Sequence, residues 1–302
     1  MPATAPTAQP SPSPVKSPEL LIWVDGKLVP KSLATVNVFD HGLLYGDGVF
    51  EGIRIYNGKI FEPDAHVARL YESAKAIRLT IPFAPKDWID AIHATAHANG
   101  FHDCYIRAVV TRGVGPLGIS PVNCKAPSCF VIADALQLYP KDFYDKGMPV
   151  ITSSVTRNHP NALSPRIKSL NYLNNILGKL DAIDAGVPDA IMLNTEGHVS
   201  EATAANIFTV RNGAVATPSL ESGILEGVTR NVILRLCGEL GIPAVQRVIP
   251  RFDLYVAEEC FLTGTGAEVM PVTEIDKRPV GNGEVGPITR KLLAAFHKLA
   301  RG

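Results

Sequence analysis

The sequence predicts a two-part α+β protein, with a smaller α/β domain over residues 19–137 and a larger domain over residues 148–302. Three observations lead there. Strand-like segments come in hairpins rather than in the strict strand–helix alternation of a doubly wound sheet, so the sheets should be largely antiparallel. A polar stretch at 138–147, holding Pro140 and Gly147, interrupts the apolar patterning and reads as a connector. The length of 302 residues, with 46% hydrophobic content, is enough for two cores.

The first 18 residues carry six prolines among Ala, Ser and Thr, and they lack the apolar core of a secretory signal. We read them as a disordered tail. Short β-like pieces follow at 20–24 and 34–38. Residues 49–56 and 59–61 flank Asn57-Gly58, a two-residue turn that matches the twist of paired strands. Residues 64–79 form a helix with Val67, Leu70, Ala74 and Ile77 on one face. A second helix, 85–99, opens with a proline at its first turn and stops at Gly100. Strands at 104–111 and 128–136 complete this part.

In the second part, a strand at 149–155 leads into a loop rich in Pro, Asn and Ser, then into a helix at 171–185 ended by Gly186. Strands at 190–194, 205–211 and 214–217 read as a meander whose second turn is Asn212-Gly213. A helix at 229–240 ends at Gly241. Segments 260–262 and 269–272 are short strands, and 288–299 is a closing amphipathic helix.

Lys+Arg and Asp+Glu balance at 29 each, so nothing favours nucleic acid or an anionic membrane surface. No run of 18 apolar residues could cross a bilayer. Five cysteines (Cys104, Cys124, Cys129, Cys237 and Cys260) are odd in number and lack C-x-x-C spacing. Reduced, mostly buried thiols in a cytoplasmic protein are the expectation.

Two motifs invite readings that their context weakens. Gly113-Val114-Gly115-Pro116-Leu117-Gly118 follows a strand, with Asp134 lying 21 residues beyond the first glycine, as in a dinucleotide site. The third glycine should open a helix that holds the pyrophosphate, yet Pro121 and Pro127 follow. A glycine-rich loop is the better reading; a nucleotide-binding oxidoreductase is the distant alternative. His93 and His97 have chelating i, i+4 spacing, but no glutamate lies between them and no third ligand is evident. No metal is expected.

The second half holds a more coherent set. Lys168 stands between an irregular loop and an apolar helix; pointing inward, it would be placed for Schiff-base chemistry. Pointing outward, it is one more surface charge. Glu201 lies in a small, apolar segment that enters a core strand, and a buried carboxylate needs a partner. A protonated pyridine nitrogen would serve, and so would a Lys or Arg of the fold. Gly223-Ile224-Leu225-Glu226-Gly227-Val228-Thr229-Arg230 opens a helix whose free N–H groups, with the Thr229 hydroxyl, suit a phosphate. Thr229 as a plain N-cap is the simpler alternative. Gly264-Thr265-Gly266 is a second turn able to bring amides to an anion.

Together these segments resemble a known family. Glu201-x-Thr203-x-x-Asn206-Ile207-Phe208, then Val215-x-Thr217, then Leu225-x-Gly227-Val228-x-Arg230 is similar to the class IV aminotransferase signature, ordered over 30 positions. The likeness extends to Tyr45-Gly46, Val49-Phe50-Glu51-Gly52-Ile53-Arg54, His66-Val67-Ala68-Arg69-Leu70 and Tyr105-Ile106-Arg107, and to 167–173 and 262–268. Within that class the chain is most similar to bacterial branched-chain amino acid aminotransferases.

The resemblance implies fold type IV, a smaller α/β domain and a larger pseudo-barrel domain with pyridoxal 5'-phosphate between them. It implies that Lys168 forms the Schiff base, Glu201 meets the pyridine nitrogen and Tyr172 the ring hydroxyl, while Arg69, Val228, Thr229 and Thr265 hold the phosphate. Tyr105, with the turn amides of Thr265 and Gly266, would take the substrate carboxylate, and Arg107 would support Tyr105. Phe50 and Tyr172 would wall the side-chain pocket. Tyr45 and the 113–119 loop would be lent by a neighbouring subunit, in a homodimer or a higher homo-oligomer up to a hexamer.

The implied reaction transfers the amino group of L-leucine, L-isoleucine or L-valine to 2-oxoglutarate in a ping-pong cycle. Ala202, Ala204-Ala205 and Gly266 depart from the commoner residues at their positions, and Ala205 drops an acidic side chain. Tyr105-x-Arg107 follows the branched-chain pattern, and no Arg-x-His, as in D-amino-acid aminotransferases, occurs near 113–120. Same-fold enzymes acting on D-amino acids, primary (R)-amines or aminodeoxychorismate are the nearer alternatives.

Overall fold

The computed structural model describes residues 19–135 and 138–302. The proline-rich opening and the last residue of the expected 128–136 strand lie outside the described residues.

The first half builds a six-stranded antiparallel sheet in the order β2-β1-β6-β5-β3-β4. Its strands are β1 (Leu21–Val24), β2 (Lys27–Pro30), β3 (Gly48–Tyr56), β4 (Lys59–Ile60), β5 (Cys104–Thr111) and β6 (Ser128–Asp134). The β1–β2 hairpin is absent from the sequence reading, although Asp25 and Gly26 both take positive φ in its turn, the chemistry of a tight hairpin. A short helix α1 (His41–Tyr45) precedes β3, and helices α2 (Pro63–Ala76) and α3 (Pro85–Ala98) pack on the sheet. Val67, Leu70 and Ala74 are buried among Ile53, Trp88, Ile92, Ile106 and Val131, with Ile77 packed against them.

Three expectations change here. Helix α2 ends at Ala76 rather than 79 because Arg78 turns to φ 54, which lets Leu79 fold back under the helix. Residues 34–38 form no strand. Val36 and Val38 are exposed and carry an alternating pattern that no sheet edge uses. The connector contains a short helix, α4 (Asp142–Lys146), before Gly147 takes positive φ.

The second half forms a nine-stranded sheet in the order β12-β11-β10-β13-β14-β7-β8-β9, with β15 on β14. The strands are β7 (Met148–Thr152), β8 (Asp189–Leu193), β9 (Val199–Ala202), β10 (Asn206–Arg211), β11 (Ala214–Pro218), β12 (Ala244–Arg247), β13 (Glu259–Gly264), β14 (Glu268–Ile275) and β15 (Arg278–Pro279). The helices are α5 (Leu173–Asp184), α6 (Val228–Glu239), α7 (Arg251–Tyr255) and α8 (Pro287–Arg301). The expected meander is not there: β8 pairs with β9 and β7, and β10 pairs with β11 and β13. The sheet is largely antiparallel but includes three parallel pairings, β7–β8, β11–β12 and β14–β7, that the hairpin pattern does not predict. Helices α5 and α6 supply the crossovers that the first two parallel pairs require.

The two halves meet at β3. Strand β4 covers β3 only at Ile55 and Tyr56, which leaves the rest of that edge open. The loop before α5 fills it: Phe50 N donates to the Lys168 carbonyl at 3.0 Å and Leu170 N to the Gly48 carbonyl at 3.0 Å. Lys168 is thereby fixed between the sheets.

Helix α8 is tied down by a carboxylate from the sheet. Glu259 on β13 accepts from Ile288 N at 3.0 Å, Thr289 N at 2.7 Å and Thr289 Oγ1 at 2.7 Å. A Cβ on Gly286 would stand 2.0 Å from the Glu259 carboxyl carbon, so a larger residue there would push the carboxylate away from the helix start. We expect Glu259→Ala to destabilise the fold by about 1.5–3 kcal/mol, as for loss of a charged hydrogen-bond acceptor. A thermal melt would show this as a fall of several degrees, and an unchanged melt would contradict the capping role.

Candidate active site

One cavity between the halves is lined by Lys168, Tyr172, Glu201, Arg69, Val228, Thr229 and Thr265. Lys168 Nζ donates to Tyr172 Oη at 3.3 Å and lies 4.5 Å from the centroid of the Phe50 ring. No carboxylate pairs with it among the described residues, so its place is the cavity and not a surface ion pair. Phe50 and Tyr172 meet edge to face at 5.0 Å, and together they wall the amine on one side.

Glu201, on β9, is buried. Its Oε1 accepts from Arg157 Nε at 2.9 Å; its Oε2 accepts from Leu225 N at 3.0 Å and Asn206 Nδ2 at 3.3 Å. Burial pushes its carboxyl above the ordinary range, opposed by the Arg157 cation and then the Leu225 N–H. The salt bridge within the fold therefore exists. It leaves spare acceptor capacity, because an ionised carboxylate has about four lone-pair sites. Arg157 was invisible in the sequence, one basic residue in an irregular loop.

Asn206 also donates to the Leu225 carbonyl at 2.8 Å, and its Oδ1 would stand 1.9 Å from a Cβ on Gly227. A side chain at Gly227, the N-cap residue of α6, would therefore displace the Asn206 amide. No side-chain cap bond is made at the N-cap of this helix among the described residues. Thr229 is its second residue and not its cap, which overturns the simpler reading of that hydroxyl. Thr263, fully buried, lines the same cavity with an Oγ1 that has no partner among the described residues.

Arg69 reaches the cavity from α2, held in place by a buried acid. Its Nε and Nη2 bond both oxygens of Glu51 at 2.7 and 2.9 Å, and its Nη1 donates to the Glu226 carbonyl at 2.8 Å. His66 Nδ1 also bonds Glu51, at 2.7 Å. Burial lowers the His66 pKa, opposed by the Glu51 carboxylate.

The remaining candidates sit apart from the cavity wall. Arg107 stacks over Phe50 at 4.4 Å and lies 5.8 Å from the Tyr105 ring centroid. The Tyr105 hydroxyl lies across Gly52, where a Cβ would come within 2.0 Å of it. Gly266 adjoins Thr265 in the β13–β14 turn. Tyr45 does not reach this cavity: its Oη accepts from Gly118 N at 2.9 Å, and His41 Nε2 contacts the Pro116 carbonyl at 3.0 Å. The 113–118 loop thus packs on α1, and only a three-residue turn (Pro121–Asn123) follows it. The dinucleotide reading fails for lack of a helix. His93 and His97 are exposed on α3, and no group of three metal-ligand residues occurs among the described residues.

These groups fit pyridoxal 5'-phosphate. An uncapped helix start, a buried unpartnered hydroxyl and an arginine suit the phosphate. The spare lone pair of Glu201 suits a protonated ring nitrogen, which would offset the burial of that acid, and Lys168 suits an aldehyde.

The Glu51–Arg69 pair gives a pH signature. Burial alone would raise the Glu51 pKa, but Arg69 and then His66 bring it from 4.5 down to about 2. A lowered pKa stabilises the fold above the unfolded value and is lost as pH falls through the folded one; the gap corresponds to about 3 kcal/mol. Glu51→Gln should therefore be less stable at pH 7, by a margin that shrinks between pH 4.5 and 2. Denaturant titrations at several pH values check this, and a margin constant from pH 7 to pH 3 would contradict it.

The sequence profile of the class IV amino-transferase family matches residues 48–275. A Methanocaldococcus jannaschii protein, provisionally named a branched-chain-amino-acid aminotransferase, is 47% identical over 91% of this chain and 94% of its own length. The branched-chain-amino-acid aminotransferase of Pseudomonas aeruginosa is 38% identical over 93% of each. The Escherichia coli branched-chain amino acid aminotransferase superposes with a TM-score of 0.92 at 33% identity, covering 94% of this chain and 96% of that one. The Thermobaculum terrenum branched-chain amino acid aminotransferase, solved in its PLP-bound holo form, gives 0.86 at 33% identity, covering 93% and 94%. Sequence profile, relatives and fold agree, and the chain belongs to the class IV aminotransferases.

Proposed function

We propose that this protein is a branched-chain amino acid aminotransferase. It moves the amino group of L-leucine, L-isoleucine or L-valine to 2-oxoglutarate with pyridoxal 5'-phosphate. The observation that carries the reading is a single cavity joining the Lys168 amine, the Glu201 carboxylate and the uncapped start of α6. The relatives of that name, 33–47% identical over most of the chain, support the substrate class.

When bound, the cofactor supplies an aldehyde that condenses with amines and a cationic ring that takes up negative charge. Lys168 would hold it covalently at rest, and once a substrate amine took its place the freed Lys168 amine would remove the proton from the substrate α-carbon as a general base and pass it on to the cofactor as a general acid. Glu201 would keep the ring nitrogen protonated, with Arg157 and Asn206 fixing the carboxylate's orientation. Tyr172 would bond the ring hydroxyl, and Arg69, Val228, Thr229 and Thr265 would hold the phosphate. Tyr105 and the turn amides of Thr265 and Gly266 take the substrate carboxylate, Arg107 braces Tyr105, and Phe50 with Tyr172 excludes water from an apolar side chain.

We also read residues 19–137, 138–147 and 148–302 as domain, connector and domain, which the two sheets and their separate cores support. A cytoplasmic location is supported by five free cysteines, four of them buried. No described helix is long and apolar enough to cross a membrane.

The partner is a second copy of the chain. Helix α5 exposes Leu173, Ile176, Leu177, Leu180 and Ile183 on one face, next to Tyr172, and such a stripe calls for a cover. Tyr45 and the 113–119 loop, turned away from their own cavity, would serve the neighbour's, so a homodimer or higher homo-oligomer is the working form.

The purified protein should show the absorbance of a lysine-bound pyridoxal, absent in Lys168→Ala, and should transaminate branched-chain L-amino acids in a donor and oxo-acid panel with chiral product analysis. Glu201→Gln should keep the cofactor and lose orders of magnitude in rate. A colourless protein that cannot be reconstituted, or a preference for D-amino acids, would sink the assignment. Leu180→Asp should shift sedimentation toward the monomer and lower activity with it; an unchanged assembly would remove α5 from the interface.

A further inference from the structure

We propose that Glu268 is a positioning residue that locks the Thr265–Gly266 turn onto strand β3, so that binding of a substrate carboxylate depends on the two halves being docked. This rests on the reading above that the turn amides take that carboxylate.

The backbone points to it first. Gly264 and Glu268 are the closing pair of the β13–β14 hairpin, leaving a three-residue loop. Glu268 takes φ 55, the left-handed conformation that normally calls for glycine after such a loop. A side chain there costs about 1–2 kcal/mol. Strain of this kind persists where surrounding contacts over-determine the residue, and it directs attention to what the side chain does.

The carboxylate is buried and engaged from separate parts of the chain. Tyr56 Oη on β3 donates to Oε1 at 2.8 Å, and the Arg54 guanidinium, also on β3, stands 3.9 Å from it. His297 Nε2 on α8 lies 2.8 Å from Oε2. One residue earlier, Tyr144 Oη on the connector helix donates to the Ala267 carbonyl at 3.2 Å. Burial alone would raise the Glu268 pKa, but the bonds from His297 and Tyr56 bring it below the usual carboxylate range, so it accepts as an anion.

The geometry links this clamp to the site. Thr265 lines the cavity that holds Lys168. Arg54 stands opposite Tyr105 in the β3–β5 register. One carboxylate therefore sets the spacing between the turn and the strand beside the tyrosine. Those are the two sides of the carboxylate site, and a misplacement of about 1 Å there can cost up to a hundredfold.

Steady-state kinetics of the holoenzyme test this in Glu268→Gln, Glu268→Gly, Tyr56→Phe and the Tyr56→Phe/Glu268→Gln double variant. We expect KM for both the amino acid and the oxo acid to rise about tenfold, with kcat within about threefold and the bound-pyridoxal absorbance unchanged, the pattern of lost uniform binding. The double variant should lose less than the product of the single losses. Glu268→Gly relaxes the backbone while deleting the carboxylate, so a purely conformational role predicts a normal KM in that variant. A KM within twofold of wild type in Glu268→Gly, or a loss of cofactor in place of a KM effect, would overturn the proposal. A wild-type enzyme that does not transaminate would defeat the underlying reading of the site instead.

Discussion

The open edge of β3 is the constraint on which the site depends. A strand edge presents unpaired N–H and C=O groups, and a loop from the second half completes it at Phe50 and Gly48. That pairing fixes the backbone of Lys168, while Phe50, on the same strand, faces its amine. A single set of main-chain bonds thus places the amine at the seam of two separately cored halves. Were the edge covered along its full length by β4, the loop would have nowhere to dock and the amine no fixed place.

Buried charge organises the rest. Glu51, Glu201 and Glu268 are each buried, and each is met by more than one donor. Leaving any of them unpaired would cost several kcal/mol, so their partners define geometry as much as stability. Arg69 is held by Glu51, and Glu201 is oriented by Arg157 and Asn206, by protein contacts alone. Such preorganisation lets the site meet its ligands without further ordering. The cavity accordingly has its donors and acceptors fixed by groups behind its wall.

Much of the architecture was legible in the sequence. Helices α2, α3, α5, α6 and α8 were expected close to where they lie, with a glycine stop legible for α3, α5 and α6, and the Asn57-Gly58 and Asn212-Gly213 hairpins showed their turn chemistry. What escaped was short or unpatterned. Strand β9 reads Val-Ser-Glu-Ala and carries no alternation; β12 is exposed throughout; 34–38 alternates but stays on the surface. The order of strands in the larger sheet was also hidden, because parallel neighbours are joined by crossovers and leave no local sign. In the site, the cavity-lining lysine, acid and threonines could be named from their motifs. Arg157, Glu51 and the unpartnered Thr263 hydroxyl had no signal that would assign them a part, since their meaning lies in what stands opposite them.

The sequence by itself determined the family, the local elements and the identity of the chemically able residues, because these depend on residue type and spacing within about thirty positions. Only the tertiary structure decided that residues 69, 157, 168, 201 and 229 line one cavity, that Glu51 holds Arg69 there, and that Glu268 accepts a bond from Tyr56 on β3. The physical reason is that pairing of buried charges and completion of strand edges act across the fold, between segments up to 212 positions apart, where no local pattern can record them.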